Sequence, residues 1–241
     1  MIRDHDKIVY LNKKTYLHKP KFAWKFLFNL IKKNKNKKIT FWDVGCGNGY
    51  LLRYLERQLP RWKFLGSDNY KELVNVSKKN TNANIFLDDI TKQPKFSTYK
   101  ADIVHTTGVL CIYDNVENFL HQIINRCNKS GEIFLQGGIN DKPVDVITRY
   151  RDCTKKNYWI NKINQPGWNK FSMKTISRIL NKNEKTKEFK FIKIRFPKTL
   201  NVKKKSTDPM RSWTVVFNNE VYFTNSLNVL DNSYYLNIKL K

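Results

Sequence analysis

The residues best suited to chemistry in this chain are a glycine-rich turn and the acids placed around it. Asp43-Val44-Gly45-Cys46-Gly47-Asn48-Gly49-Tyr50 sets three glycines at alternate positions. Glycine tolerates positive φ and has no Cβ, so a ligand can lie directly against the main chain. Ile39, Phe41 and Trp42 form a β-prone apolar run before the turn, and Leu51, Leu52 and Leu55 follow it at helical spacing. The turn therefore joins a strand to a helix whose first N–H groups are unpaired and face whatever is bound. This is the signature of a nucleoside-cofactor loop. Two more acids, Asp68 and Asp89, close later β-prone runs. A carboxylate at such a strand end can accept from both hydroxyls of a ribose, which neutral groups do less well.

The elements that must hold these residues alternate along the chain. Pro20 to Asn34 reads as an amphipathic helix with Phe22, Ala23, Phe26, Leu27, Leu30 and Ile31 on one face. Strands are expected at 39–42, 62–68, 84–89, 101–106 and 131–136. Helices are expected at 51–59, stopped by Pro60, then at 71–80 and 116–127. Five strand-to-helix alternations specify a parallel sheet covered on both faces, with ligands at the C-terminal strand ends. After Gly137-Gly138 the pattern changes. Residues 138–170 are polar and aromatic with little periodicity; a helix capped by Ser172 follows, and strands are expected at 189–196, 211–217, 221–224 and 234–240. Asn218-Asn219 reads as the turn of a hairpin.

The glycine spacing excludes two common ligands. A dinucleotide loop needs G-x-G-x-x-G, yet bulky Tyr50 follows Gly49 where its third glycine belongs, and no Gly-Lys-Ser/Thr of a phosphate loop is present. With Asp43 in front, D-V-G-C-G-N-G resembles the first motif of the class I S-adenosylmethionine-dependent methyltransferases, small-molecule type, over about residues 39–137. The resemblance implies an α/β Rossmann-like fold with a mostly parallel seven-stranded sheet, helices on both faces and a β-rich C-terminal extension. It also implies S-adenosyl-L-methionine as cofactor. Its site would comprise Asp43, Gly45, Cys46, Gly47, Asn48 and Gly49 of the loop, Asp68 and Asn69 at the ribose, and Asp89 and Ile90 at the adenine. The segment Thr106-Thr107-Gly108-Val109-Leu110, with Thr106 and Gly108 as its site residues, would lie beneath the methionine moiety.

Methyl transfer is an in-line displacement in which alignment supplies much of the rate, and a hydroxyl acceptor also needs a base. His18, His105 and Asp141 are the candidates, with Asp145 close by; none is singled out by spacing. His121 reads as a surface residue of its helix. No N-P-P-Y or D-P-P-Y follows the fourth strand, and no cysteine matches the thiol of cytosine C5 methylation. Arg149 and Arg151, near Tyr150, Tyr158, Trp159 and Trp168, could hold an anionic or sugar-like acceptor, the rings by their faces and the guanidinium groups through phosphate or carboxylate. A packed, salt-bridged cap accounts for them equally well.

Composition sets the remaining bounds. The 241 residues suit one domain, 1–241, divided into an N-terminal helical segment 1–38, a cofactor core 39–137 and an acceptor-side cap with C-terminal strands 138–241. A net charge of +26 attracts anions. However, it comes from ten Arg against 36 Lys spread along the chain, and base readers favour Arg. The four cysteines lack a C-x-x-C pair and neighbouring histidines, so free thiols and no metal are expected. Nothing approaches the roughly 20 apolar residues of a membrane span, and no secretory signal is visible, so a cytoplasmic location is expected. The sequence reading is O-methylation of a small molecule such as a sugar or sugar nucleotide. RNA methylation and a non-catalytic S-adenosylmethionine-binding module stand as alternatives.

Overall fold

The computed structural model describes residues 10–11, 20–92, 99–151, 153, 165–204, 210–227 and 229–241. Strands β1 (Thr40–Val44), β2 (Lys63–Asp68), β3 (Asn84–Leu87), β4 (Ala101–Thr107) and β5 (Cys127–Gln136) alternate with helices α2 (Tyr50–Gln58), α3 (Lys71–Asn80) and α4 (Val116–Asn125), after α1 (Phe22–Ile31). Short strands β6 (Ile139–Asn140), β7 (Arg149–Tyr150), β8 (Gln165–Pro166) and β9 (Phe171–Ser172) lead into α5 (Met173–Lys182). β10 (Thr186–Lys193), the hairpin β11 (Trp213–Phe217) and β12 (Glu220–Thr224), and β13 (Tyr234–Leu240) complete the chain. The main sheet runs β10-β13-β5-β4-β1-β2-β3, seven strands with β13 antiparallel to both its neighbours. The other pairings are parallel.

Strand alternation sorts the core into two layers. Trp42, Val44, Leu65, Val104, Ile133, Leu135, Leu236 and Ile238 face α4 and α5. Phe41, Phe64, Ile85, Ile103, Phe134 and Tyr235 face α1 and α2, which insert Trp24, Leu27 and Ile31, and Leu51, Leu52 and Leu55. The caps follow the sequence. Asn115 accepts from the N–H of Asn118 (2.9 Å) at α4, and Ser172 accepts from the N–H of Thr175 (3.0 Å) at α5. Asn218 and Asn219 both take left-handed φ, 47° and 62°, as the hairpin turn requires.

Several boundaries shift by a few residues from the sequence expectation, and three of the shifts matter most. β5 starts at Cys127 rather than at residue 131: Ser130 takes a left-handed φ of 59° and donates its N–H to the Lys241 carbonyl, so the stretch continues as an irregular strand. β10 begins earlier, at Thr186, because its partner β13 pairs Leu240 with Thr186 and Tyr234 with Lys193. β3 ends at Leu87, before either acid, with consequences at the site. Among the described residues, no helix is long and apolar enough to cross a membrane.

Candidate functional site

A cleft of about 200 Å³ opens at the C-terminal ends of β1, β2 and β4. Its floor is the glycine turn, tied to β2 by Gly45 and Cys46, which donate to the Ser67 carbonyl at 2.8 and 2.9 Å. Gly45 and Gly47 line the cleft. Gly49 does something else. It takes a φ of 77°, and a Cβ there would lie 2.4 Å from Ser77 Oγ, so this glycine lets α3 pack against the start of α2. Cys46 and Asn48 are not among the residues that line the cleft. Cys46 Sγ lies 3.7 Å from Ser77 Oγ, and Asn48 Nδ2 donates to the Tyr10 carbonyl (3.3 Å).

Asp68, at the end of β2, is buried and accepts from the N–H of Gly47 (2.9 Å) and of Tyr70 (3.1 Å). Burial pushes its carboxyl up to about 6, and the main-chain donors oppose the rise. Asn69 and Tyr70 continue the wall. Asp43 points away from solvent. It is the parallel-register neighbour of His105, and its Oδ1 lies 2.8 Å from His105 Nδ1, with the imidazole wholly buried.

Asp89 is not a strand-end residue. Beyond Leu87 the chain turns, and the first acid, Asp88, is taken by the fully buried Arg126, whose Nε reaches Oδ2 at 3.0 Å and whose Nη2 reaches Oδ1 at 3.1 Å. Arg126 also donates to the Gln122 carbonyl (2.8 Å) and lies over the Trp42 ring, 5.8 Å from its centroid. Asp89, in the following turn, accepts from the N–H and hydroxyl of Thr91 (3.0 and 2.7 Å). Ile90 is buried and lines the cleft. Residue alternation in β4 likewise places Thr107, not Thr106, in the wall. Thr106 is buried on the other face of β4, its hydroxyl with no hydrogen-bond partner among the described residues, while Gly108 lines the cleft beside Thr107.

The opposite wall comes from Val109 and the 3₁₀ turn Leu110–Ile112, with Cys111, Ile112, Tyr113 and Trp168. Burial raises the Tyr113 phenol above its usual range, followed by the fields of Asp89 and Asp68, so it stays a hydroxyl donor at neutral pH. Trp168 holds a left-handed φ of 56° and meets the Tyr150 ring edge-on at 5.6 Å. Non-glycine residues there are strained, and such strain gathers at working sites. Asn169 fixes this segment: it donates to the Tyr113 carbonyl and to Asp114 (both 2.9 Å), and its side-chain oxygen accepts from the N–H of Thr148 (2.8 Å).

The remaining candidates are dispersed. Arg149 is paired with Asp114, and Arg151 is exposed. Asp141 accepts from the Tyr234 hydroxyl (3.1 Å) and lies outside the cleft lining. Asp145 accepts from the N–H of Ser172 (2.6 Å) at the start of α5. His121 is exposed on α4. His18, Tyr158 and Trp159 lie outside the described residues. The pair Asp88–Arg126 escaped the site reading, because Asp88 was hidden by the second acid beside it.

A cleft at the strand ends of a β3-β2-β1-β4-β5 sheet, extended by an antiparallel β13, defines the Rossmann-like class I methyltransferase fold. The chain belongs to the methyltransferase domain family, whose profile matches residues 16–184. Among solved structures it is similar to the plantazolicin methyltransferase BpumL in complex with SAH, at 16% identity and a TM-score of 0.58, over 99% of this chain and 90% of that one. It is also similar to the PH0226 protein from Pyrococcus horikoshii OT3, at 11% identity and a TM-score of 0.55, over 97% and 99% of the two chains. Coclaurine N-methyltransferase bound to N-methylheliamine and SAH matches at 14% identity and a TM-score of 0.50, over 73% of this chain and 53% of that one. No curated protein matches in sequence.

Proposed function

We propose that the protein transfers the methyl group of S-adenosylmethionine to an oxygen of a small molecule such as a sugar or sugar nucleotide, within a single domain acting in the cytoplasm. The observation that carries this reading is the division of the cleft. On one side, Asp68 keeps a buried carboxylate beside the glycine turn, suited to a ribose. On the other, Trp168, Tyr113 and Ile112 offer apolar faces. The sulfonium would lie between them, above Gly45 and Gly47, with Ile90 against the adenine. The 200 Å³ of the cleft falls short of the roughly 300–1,000 Å³ usual for small-molecule sites, so the acceptor would use the open mouth beside Trp168. A ring-shaped polar acceptor suits an aromatic wall of this kind.

Two relatives in fold were crystallised with SAH, which supports the donor; their own acceptors differ from each other. The deciding experiment incubates the protein with methyl-labelled S-adenosylmethionine and fractionated cell extract, then identifies the labelled product. A methyl ether on a small molecule is expected. Label on RNA would instead favour the second reading, for which one feature speaks: a separate groove on α2 and α3 lined by Arg53, Arg57, Lys78 and Lys79. RNA binding that falls steeply with salt would accompany that outcome.

A further inference from the structure

We propose that Asp43, His105 and Thr107 form a proton relay that opens on the cleft at the Thr107 hydroxyl and takes the proton of the methyl acceptor. The inference rests on the oxygen-methylation reading above and supplies the base that reading lacks.

The arrangement follows from two regularities of the sheet. Residues two apart on a strand face the same side, so His105 and Thr107 of β4 stand together. Parallel register then sets Asp43 of β1 beside His105. The three side chains form a line: Asp43 Oδ1 to His105 Nδ1 is 2.8 Å, and His105 Nε2 to Thr107 Oγ1 is 2.8 Å. An ionised carboxylate only accepts, so Asp43 fixes the Nδ1–H tautomer, and Nε2 is left as an acceptor for the Thr107 proton. Asp43 and His105 are sealed from solvent, whereas Thr107 is partly exposed in the cleft wall.

The other groups facing this line have their own partners. Tyr235 of β13 is also hydrogen-bonded to Thr107 and donates its own hydroxyl to the Ala23 carbonyl (3.2 Å) of α1; burial raises its phenol, so it keeps its proton and can only share a hydrogen bond with Thr107, not take its proton. Phe41 of β1 stacks on the imidazole at 5.9 Å and carries no charge. Cys46 and Asp68, on the glycine-loop side, also feel the charge of Asp43.

The step balances. The acceptor O–H proton passes to Thr107 Oγ as the Thr107 proton passes to His105 Nε2, while the acceptor oxygen forms its bond to the methyl carbon and the carbon–sulfur bond breaks. The positive charge that leaves the sulfonium reappears on the imidazolium, next to the Asp43 carboxylate. Asp43 is thus a positioning residue, and Thr107 is the group that touches the acceptor.

The test compares Thr107→Val, Thr107→Ser and His105→Asn in the full chain, using the labelled donor and the extract fraction that accepts label. Thr107→Val keeps the side-chain shape, so a fall of about a hundredfold or more in kcat, with unchanged affinity for S-adenosylhomocysteine, is expected. His105→Asn, which cannot take a proton, falls similarly, and Thr107→Ser restores most of the rate. An oxygen-methylated product formed by Thr107→Val at the wild-type rate overturns the relay alone. A nitrogen-methylated product with Thr107→Val still slow overturns the oxygen reading alone, and one made at the wild-type rate overturns both. NMR of the imidazole nitrogens, in the protein loaded with S-adenosylhomocysteine, needs no acceptor. Nε2 without a proton at neutral pH, with its resonance moved by Thr107→Val, is expected; Nε2 carrying a proton there overturns the relay.

Discussion

The glycine-turn half of the cleft and its acceptor-facing half are built on opposite plans. Around the glycine turn, the acids are held by the sheet and the turns at its edge: Asp68 by the main chain of Gly47 and Tyr70, Asp43 by its neighbour strand, and Asp88 by Arg126 just past α4. Across the cleft, a two-residue strand pairing and side-chain bonds from Asn169 hold a segment in which Trp168 adopts a strained φ. Strand order dictates the first wall, so many sequences can build it. The second depends on individual side chains.

The contrast can be broken most severely at Asp88. Asp88→Ala leaves the Arg126 guanidinium buried without its partner, and a loss of about 3–5 kcal/mol is expected in urea unfolding. The next effect sharpens the donor side. Asp68→Ala should weaken S-adenosylhomocysteine binding on the order of a hundredfold by calorimetry, the loss expected if Asp68 holds the ribose as proposed. In the wild type the same carboxyl gives a pH signature. With its value raised to about 6, the accepting, ionised form is depleted at lower pH, so affinity should fall about tenfold from pH 7 to pH 5. The free protein responds in the other sense: this group adds stability at acid pH, and that contribution disappears as pH rises through about 6.

On the acceptor side, Asn169→Ala removes three hydrogen bonds from a buried position, for about 1–3 kcal/mol. Hydrogen exchange should speed up at Thr148 and through the 3₁₀ turn but stay slow in β1 and β4; uniform acceleration would erase the distinction between the halves. Smallest of all is Lys33→Ala. Its contact with Glu132 is long at 3.5 Å and the lysine is exposed, so less than about 0.5 kcal/mol should be lost.

The sequence made the first half legible for the reason that makes it robust. Apolar runs, Pro60 and the glycines marked each strand, helix and turn, and α3 and β13 fall on their expected residues. What periodicity could not assign was which of two adjacent residues faces the cleft. Asp88 and Asp89, and Thr106 and Thr107, differ only by the alternation of a strand whose end had to be known to the residue. The partner of Asp88 is 38 positions away in sequence. In 138–170 the side chains that matter answer to distant partners such as Asp114 and Tyr234, and no local spacing carries that information.

The insertion of β13 between β10 and β5 bears on how the chain comes to order. Among strands β1 to β5 the widest pairing, β1 with β4, joins Asp43 to His105 over 62 positions, but β5 keeps an open edge until a strand about a hundred residues later reaches it, Leu135 meeting Leu236. Contacts of such separation form slowly, and an unfilled apolar edge invites pairing with other chains meanwhile. The glycine turn can therefore take shape early, while the sheet that carries it stays vulnerable to aggregation until Tyr234–Leu240 docks.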